Sequence, residues 1–125
     1  MTIQEIRLFG DPVLVTPASP VVDFDKELRT LVKDLTETML EAPGAGLAAP
    51  QINVPKRMIA IMTGDEKNEK FYQMLLVNPT IISHSEAKTY IPGGEGCLSV
   101  DRDVEGVVAR HKKIRVRAYQ YLTET

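Results

Sequence analysis

Phe24 to Glu41 reads FDKELRTLVKDLTETMLE, and this stretch sets the first layer of the fold. Leu28, Leu31, Val32, Leu35 and Met39 recur at spacings of three and four, which places them on one stripe of a helix. Asp23 or Asp25 supplies a cap, because a carboxylate can accept the unpaired N–H groups of a first helical turn. Acids near that end also suit the positive pole of the helix dipole. Pro43-Gly44 ends the helix. The charges on its other face are those of a solvated scaffold helix.

Upstream, residues 2–22 carry turn punctuation. Gly10-Asp11-Pro12 is a turn signal, and Pro17 and Pro20 bracket Ala18-Ser19. The expectation is an extended, irregular segment packed through Ile6, Leu8, Val13 and Leu14. Downstream the pattern changes to short strands. Arg57–Met62 and Met74–Val77 read as strands, the second ended by Asn78-Pro79, with Gly64–Glu69 as a polar loop between them. Thr80–Ser83 and Ala87–Ile91 read as a hairpin, Gly93–Gly96 as a flexible turn, and Val107–Val108 and Ile114–Ala118 as further strands. In the last, Ile114, Val116 and Ala118 alternate with Lys113, Arg115 and Arg117, as in a half-buried strand. One helix followed by many short strands predicts an α+β domain rich in antiparallel sheet.

A length of 125 residues fits one domain. The charge balance, 15 basic against 17 acidic residues, argues against a bulk binder of nucleic acid or anionic membrane. No run approaches the roughly 20 apolar residues of a membrane span, and the N-terminus shows no signal-peptide pattern. Cys97 is the single cysteine, so no internal disulfide forms, which suits a reducing cytoplasm. His84 and His111 are the only histidines, which limits what metal chemistry these residues support alone.

Three segments could carry chemistry. In Gly44-Ala45-Gly46-Leu47-Ala48-Ala49-Pro50-Gln51, two glycines leave the backbone bare. Such a stretch is either a helix stop with a tight turn or an edge where a peptide pairs with main-chain groups. Gln51 then offers an amide N–H to a carbonyl or oxyanion. No strand precedes the glycines, so a nucleotide loop is disfavoured. In Glu95-Gly96-Cys97-Leu98-Ser99, the thiol is a buried structural group, a nucleophile or a metal ligand. In Arg110–Arg117, five basic residues and no acid form an anion-attracting run or the guarded face of an edge strand, the second being favoured. His84 lies in a polar stretch and is expected to be solvated.

Together the first two segments resemble the peptide deformylase family. Its motif G-x-G-L-A-A-x-Q is matched by Gly44, Gly46, Leu47, Ala48, Ala49 and Gln51, and its motif E-G-C-L-S by Glu95 to Ser99. Leu8 to Leu14 also resembles the family's N-terminal strand entry. Leu98 to Val104 is similar to a longer-loop branch common in Gram-positive bacteria, whereas the N-terminal third resembles another branch, as in a chimera. The resemblance implies a cytoplasmic metallohydrolase that removes formyl from the N-terminal methionine of new polypeptides. Cys97 would be a metal ligand. The Leu98 backbone N–H and the Gln51 amide would form the oxyanion site. Gly46 would pair with the substrate main chain, and Gly44 and Ala45 would line the methionine pocket. Leu47 and Glu95 complete the substrate-binding set, Glu95 by holding the site together. The implied cofactor is a divalent metal, iron(II) first, with zinc or nickel able to replace it. The implied partners are N-formyl-Met peptides at the ribosome exit, with no membrane and no direct nucleic-acid site.

The family's third motif, H-E-x-x-H on a central helix, supplies two further ligands and a general base. These 125 residues do not contain it. The expectation is therefore a single domain, 1–125, that is C-terminally incomplete and inactive alone, without the means to retain its metal. Two alternatives stay open: a peptide-binding module without hydrolysis, and a helix donated by a second chain. An unrelated protein using Cys97 and His111 as nucleophile and base is a third. Without a central helix, apolar groups around Ile59, Ile61, Leu76, Val77 and Ile114 would be partly bare. At about 25 cal/mol per Å² of apolar surface, that loss favours self-association.

Overall fold

The computed structural model describes residues 3–65, 70–100 and 106–121. Helix α1 spans Lys26–Glu41. Asp25, not Asp23, caps it, accepting the Leu28 N–H at 3.1 Å. The stripe of Leu28, Leu31, Val32, Leu35 and Met39 is buried as its spacing predicts. The Gly44 N–H donates to the Met39 carbonyl at 2.8 Å, which closes the helix and aims the chain at the first strand.

Among the described residues six strands follow: β1 (Gly46–Ala48), β2 (Met58–Asp65), β3 (Lys70–His84), β4 (Lys88–Thr89), β5 (Arg110–His111) and β6 (Ile114–Gln120). Four of them form an antiparallel sheet in the order β1-β2-β3-β6, and β4 pairs with β5 separately. Register decides which side chains face the core. Leu47 sits opposite Ala60, Ala60 opposite Leu75, and Met58 opposite Val77, and all five are buried. With period 2, this face of the sheet meets the apolar stripe of α1. The α+β expectation holds.

Leu35 and Met39 are fully buried at the centre of that layer. Leu35→Ala is expected to cost about 2–5 kcal/mol through lost burial and a residual cavity. A small domain holds only about 5–15 kcal/mol in total, so the loss will show as a large drop in the urea midpoint.

Several boundaries differ from expectation. Asn78-Pro79 does not end a strand, because β3 runs through it to His84. Asn78 takes a left-handed conformation (φ 54°), and the pairing with β6 shifts register between Val77 and Thr80. The irregularity absorbs the missing proline N–H. The Asn78 side chain stitches it to Val21, accepting the Val21 N–H at 2.7 Å and donating to its carbonyl at 2.8 Å. Thr80–Ser83 therefore pairs with β6, and Lys88–Thr89 with β5, so the expected hairpin does not form. Gly64 and Asp65 belong to β2, and the rest of the Gly64–Glu69 loop lies outside the described residues. Val107–Val108 is exposed and not strand.

At the N-terminus, Pro12–Val15 is a 3₁₀ turn. Ile6 packs on the core, whereas Leu8 is exposed. The expected half-buried alternation of β6 is overturned, since Ile114, at 53% exposure, is as open as its charged neighbours. Val77 is fully buried, against expectation, while Ile59, Ile61 and Leu76 are half-buried.

Candidate active site

The residues Gly44 to Gln51 do two things. Gly46–Ala48 is β1, the edge strand of the sheet, and Ala49–Ile52 is a 3₁₀ turn opened by Pro50 and closed by Asn53 at φ 66°. The turn brings Gln51 back over the end of β1. Its Oε1 accepts the Ala48 N–H at 2.9 Å. A backbone N–H must meet the amide oxygen, so this contact fixes which way the amide points. Nε2 is therefore turned away from β1, donating to Ser99 Oγ at 3.0 Å and lying 3.8 Å from Cys97 Sγ. Two segments 46 residues apart in sequence meet at this amide.

Cys97 is exposed, so the buried-thiol reading is overturned. Leu98 is half-buried against the core and reaches over Gly44. A Cβ placed on Gly44 would lie 2.6 Å from Leu98 Cδ1, inside contact distance. A larger residue at position 44 would require the end of the Leu98 side chain to move aside. Gly44→Ala is expected to displace the end of the Leu98 side chain and to cost at most about 1 kcal/mol, read by denaturant unfolding.

The Ala45 carbonyl accepts the Met62 N–H at 2.8 Å, so Ala45 faces β2. By the alternation of an antiparallel ladder, the polar groups of Gly46 then face the open edge. Gly46 is exposed, and Leu47 points into the core at 3% exposure, anchoring that edge.

Glu95 lies two residues before Cys97. Its backbone bridges Gly106 in both directions, at 2.8 and 3.1 Å. Its carboxylate receives a forked pair from Arg110, with Nε at 3.1 and 3.0 Å from the two oxygens and a terminal nitrogen at 2.8 Å. Hydrogen bonding by Arg110 holds the Glu95 carboxyl below its ordinary value, and the guanidinium's charge adds to this. A lowered folded-state pKa means that the contribution to stability is complete above the ordinary value of 4.5. It is lost as pH falls below that value through the folded pKa. The stability difference between the unaltered chain and Glu95→Gln is therefore expected to shrink in that acid window, as followed by unfolding midpoints against pH.

Comparison with known proteins bears on this geometry. The sequence pattern of the polypeptide deformylase family matches residues 3–125. The peptide deformylase of Halalkalibacterium halodurans is 45% identical over 94% of this chain and 71% of its own length. Among solved structures, a peptide deformylase from Legionella pneumophila is 38% identical with a TM-score of 0.81, over 94% of this chain and 66% of that one. The Ehrlichia chaffeensis peptide deformylase, crystallised with actinonin, is 30% identical with a TM-score of 0.87, over 97% and 70%. The chain belongs to the polypeptide deformylase family.

Polypeptide deformylases are metalloenzymes, so a divalent metal belongs to the chemistry of this family. The described residues of this deformylase-family chain offer such an ion one thiolate donor, Cys97, and no three His, Cys, Asp or Glu side chains among them cluster as a metal site. By themselves they do not fit a metal. The histidines lie elsewhere. His84 and His111 stack face to face, with ring centroids 3.8 Å apart. His84 is exposed, as expected, and the hydrogen-bond partner of Cys97 is Gln51. Nothing in this arrangement supports a Cys97–His111 nucleophile.

Two residues with clear roles escaped the sequence reading. Arg110 was one cation in a basic run, and its ion pair with Glu95 spans 15 residues that no local pattern links. Ser99 was the last letter of a motif, and its contact with Gln51 is purely tertiary.

Proposed function

We propose that this chain supplies the substrate edge, the oxyanion donors and one metal ligand of a peptide deformylase. Such an enzyme hydrolyses the N-formyl amide on the methionine that begins a nascent polypeptide. The approach of Gln51 Nε2 to Cys97 Sγ, at 3.8 Å, carries the reading. An exposed sulfur beside a fixed amide donor suits a carbonyl whose oxygen gains negative charge. In this reading Gln51 Nε2–H and the Leu98 backbone N–H receive that charge, and such fixed donors need no reorganisation as the charge forms.

Gly46 pairs with the peptide main chain along the open edge of β1. Gly44 and Ala45 leave room for the methionine side chain, Leu47 anchors the edge, and Glu95 with Arg110 fixes the approach to Cys97. Cys97, with two histidines of an H-E-x-x-H helix that these 125 residues do not contain, would hold iron(II), with zinc or nickel able to replace it. When bound, the metal lowers the pKa of a water toward neutrality. We place the protein in the cytoplasm, acting on formyl-methionyl chains at the ribosome exit. Residues 1–125 form one domain in this reading. Its exposed Ile81, Ile114 and Val116, on one face of the β3–β6 pair, would be a surface for self-association.

A second reading, peptide binding without hydrolysis, is favoured by the open β1 edge, which needs no metal. The test joins the chain to an H-E-x-x-H segment from a relative and measures formate release from a formyl-methionyl tripeptide with iron(II). Release that disappears in Cys97→Ala, together with the metal, supports the enzyme. Peptide binding by calorimetry with no release by the joined chain overturns it in favour of the binding module.

A further inference from the structure

The orientation of the Gln51 amide is set from both ends. Its oxygen is occupied by the Ala48 N–H at 2.9 Å. Its nitrogen donates to Ser99 Oγ at 3.0 Å, a normal hydrogen-bond length, whereas the contact with Cys97 Sγ at 3.8 Å is long and weak. Ser99 thus provides the short contact that fixes Nε2. Its side chain has the stiffness for the task, since the residue is 5% exposed and one of two buried polar residues in the described core.

The backbones on both sides of this contact are themselves tied together. The Arg7 N–H donates to the Gln51 carbonyl, and the Phe9 N–H donates to the Ser99 carbonyl, each at 2.7 Å. Residues 7 and 9 are two apart, and their N–H groups reach one segment each. One short N-terminal strap therefore spans two segments 48 residues apart and holds Gln51 and Ser99 at fixed separation. A side-chain contact between two backbones so tied loses little further freedom on forming.

We propose that Ser99 is a positioning residue for Gln51, holding Nε2 toward the thiol side of the site within a clamp completed by the N-terminal strap. Its meaning for catalysis rests on the reading of Gln51 as oxyanion donor, but the geometry does not. Without the Ser99 hydroxyl, Nε2 keeps one weak sulfur partner, and the amide is anchored only at its oxygen by the Ala48 N–H, so that Nε2 swings over a wider range of its intrinsically broad terminal torsion.

The test follows the Gln51 side-chain amide by ¹⁵N NMR in the 125-residue chain, in dilute solution. In the unaltered protein the two Nε2 protons are expected to be well separated in shift and slow to exchange with water. In Ser99→Ala their exchange is expected to accelerate about tenfold or more, the factor that follows from losing one hydrogen bond. Ser99→Thr restores the protection. A Ser99→Ala protein whose melting point falls while the Gln51 protons stay protected overturns the proposal, because that is the signature of a merely structural hydroxyl. If Ser99→Ala does not fold, Ser99→Cys against Ser99→Thr decides. The weaker sulfur acceptor should leave Gln51 less protected than threonine does, and equal protection overturns the proposal. The amide signal requires no turnover. Failure of the oxyanion reading would instead appear as unimpaired formate release by Gln51→Ala in the joined chain.

Discussion

Residues 1–125 alone will release no detectable formate from a formyl-methionyl peptide, with or without added iron(II). The chemistry of an amide needs a nucleophile, a proton acceptor and stabilisation of the oxyanion. In the proposed reading the described residues would supply the third through Gln51 and Leu98, and among them there is no cluster for a metal. Oxyanion stabilisation and binding without the rest leave a proteolytic enzyme only about 10³–10⁴-fold above water. Applied to an unactivated formyl amide, that factor stays below detection in a formate assay. A positioned general base alone contributes about 10²–10⁴-fold, and a metal adds several kcal/mol of charge stabilisation. Joining an H-E-x-x-H segment is therefore expected to bring release from undetectable to readily measured. A coupled formate assay on both polypeptides checks it. Measurable turnover by the 125 residues alone would mean that another base and nucleophile operate.

How far the sequence carried the structure depends on whether a pattern was local. The helix was legible to within two residues because Leu28, Leu31, Val32, Leu35 and Met39 repeat at its own period. The end of β3 was not, because Asn78-Pro79 looks like a stop when read in isolation. Its strand continues only because β6, more than 30 residues away in sequence, pairs beyond the irregularity. Alternation in β6 showed which side chains share a face. It could not show whether a layer covers that face, and Ile114 and Val116 are exposed.

The site divides the same way. Gln51 and Cys97 sit in motifs, but the chain alone could not say that the amide turns its nitrogen to the sulfur. That direction comes from Ala48 N–H, three residues back, and from Ser99, 48 residues on. The tight fit at position 44 became physical only when the Leu98 side chain was found against it.

Gln51→Ala, made in the chain joined to the H-E-x-x-H segment, is expected to lower formate release by about 10²–10³-fold, the usual cost of one oxyanion donor. The Leu98 N–H remains, so activity falls without vanishing. KM should change little, because the ground-state carbonyl gains far less from the donor than the charged oxygen does. Metal content should hold, since Gln51 meets the thiol through an N–H and offers no ligand atom on that side; its oxygen is held by Ala48. Gln51→Glu sharpens the point. It keeps an acceptor for the Ala48 N–H and so preserves the turn, but it replaces the donor with a negative charge beside a developing negative charge. It should be at least as impaired as Gln51→Ala while melting closer to the unaltered protein. Turnover, metal-to-protein ratio and melting point measured on the two variants separate the roles. Loss of metal in Gln51→Ala would make the residue part of the ion's surroundings and remove it as oxyanion donor, whereas full activity in Gln51→Glu would show that no donor is needed at that position.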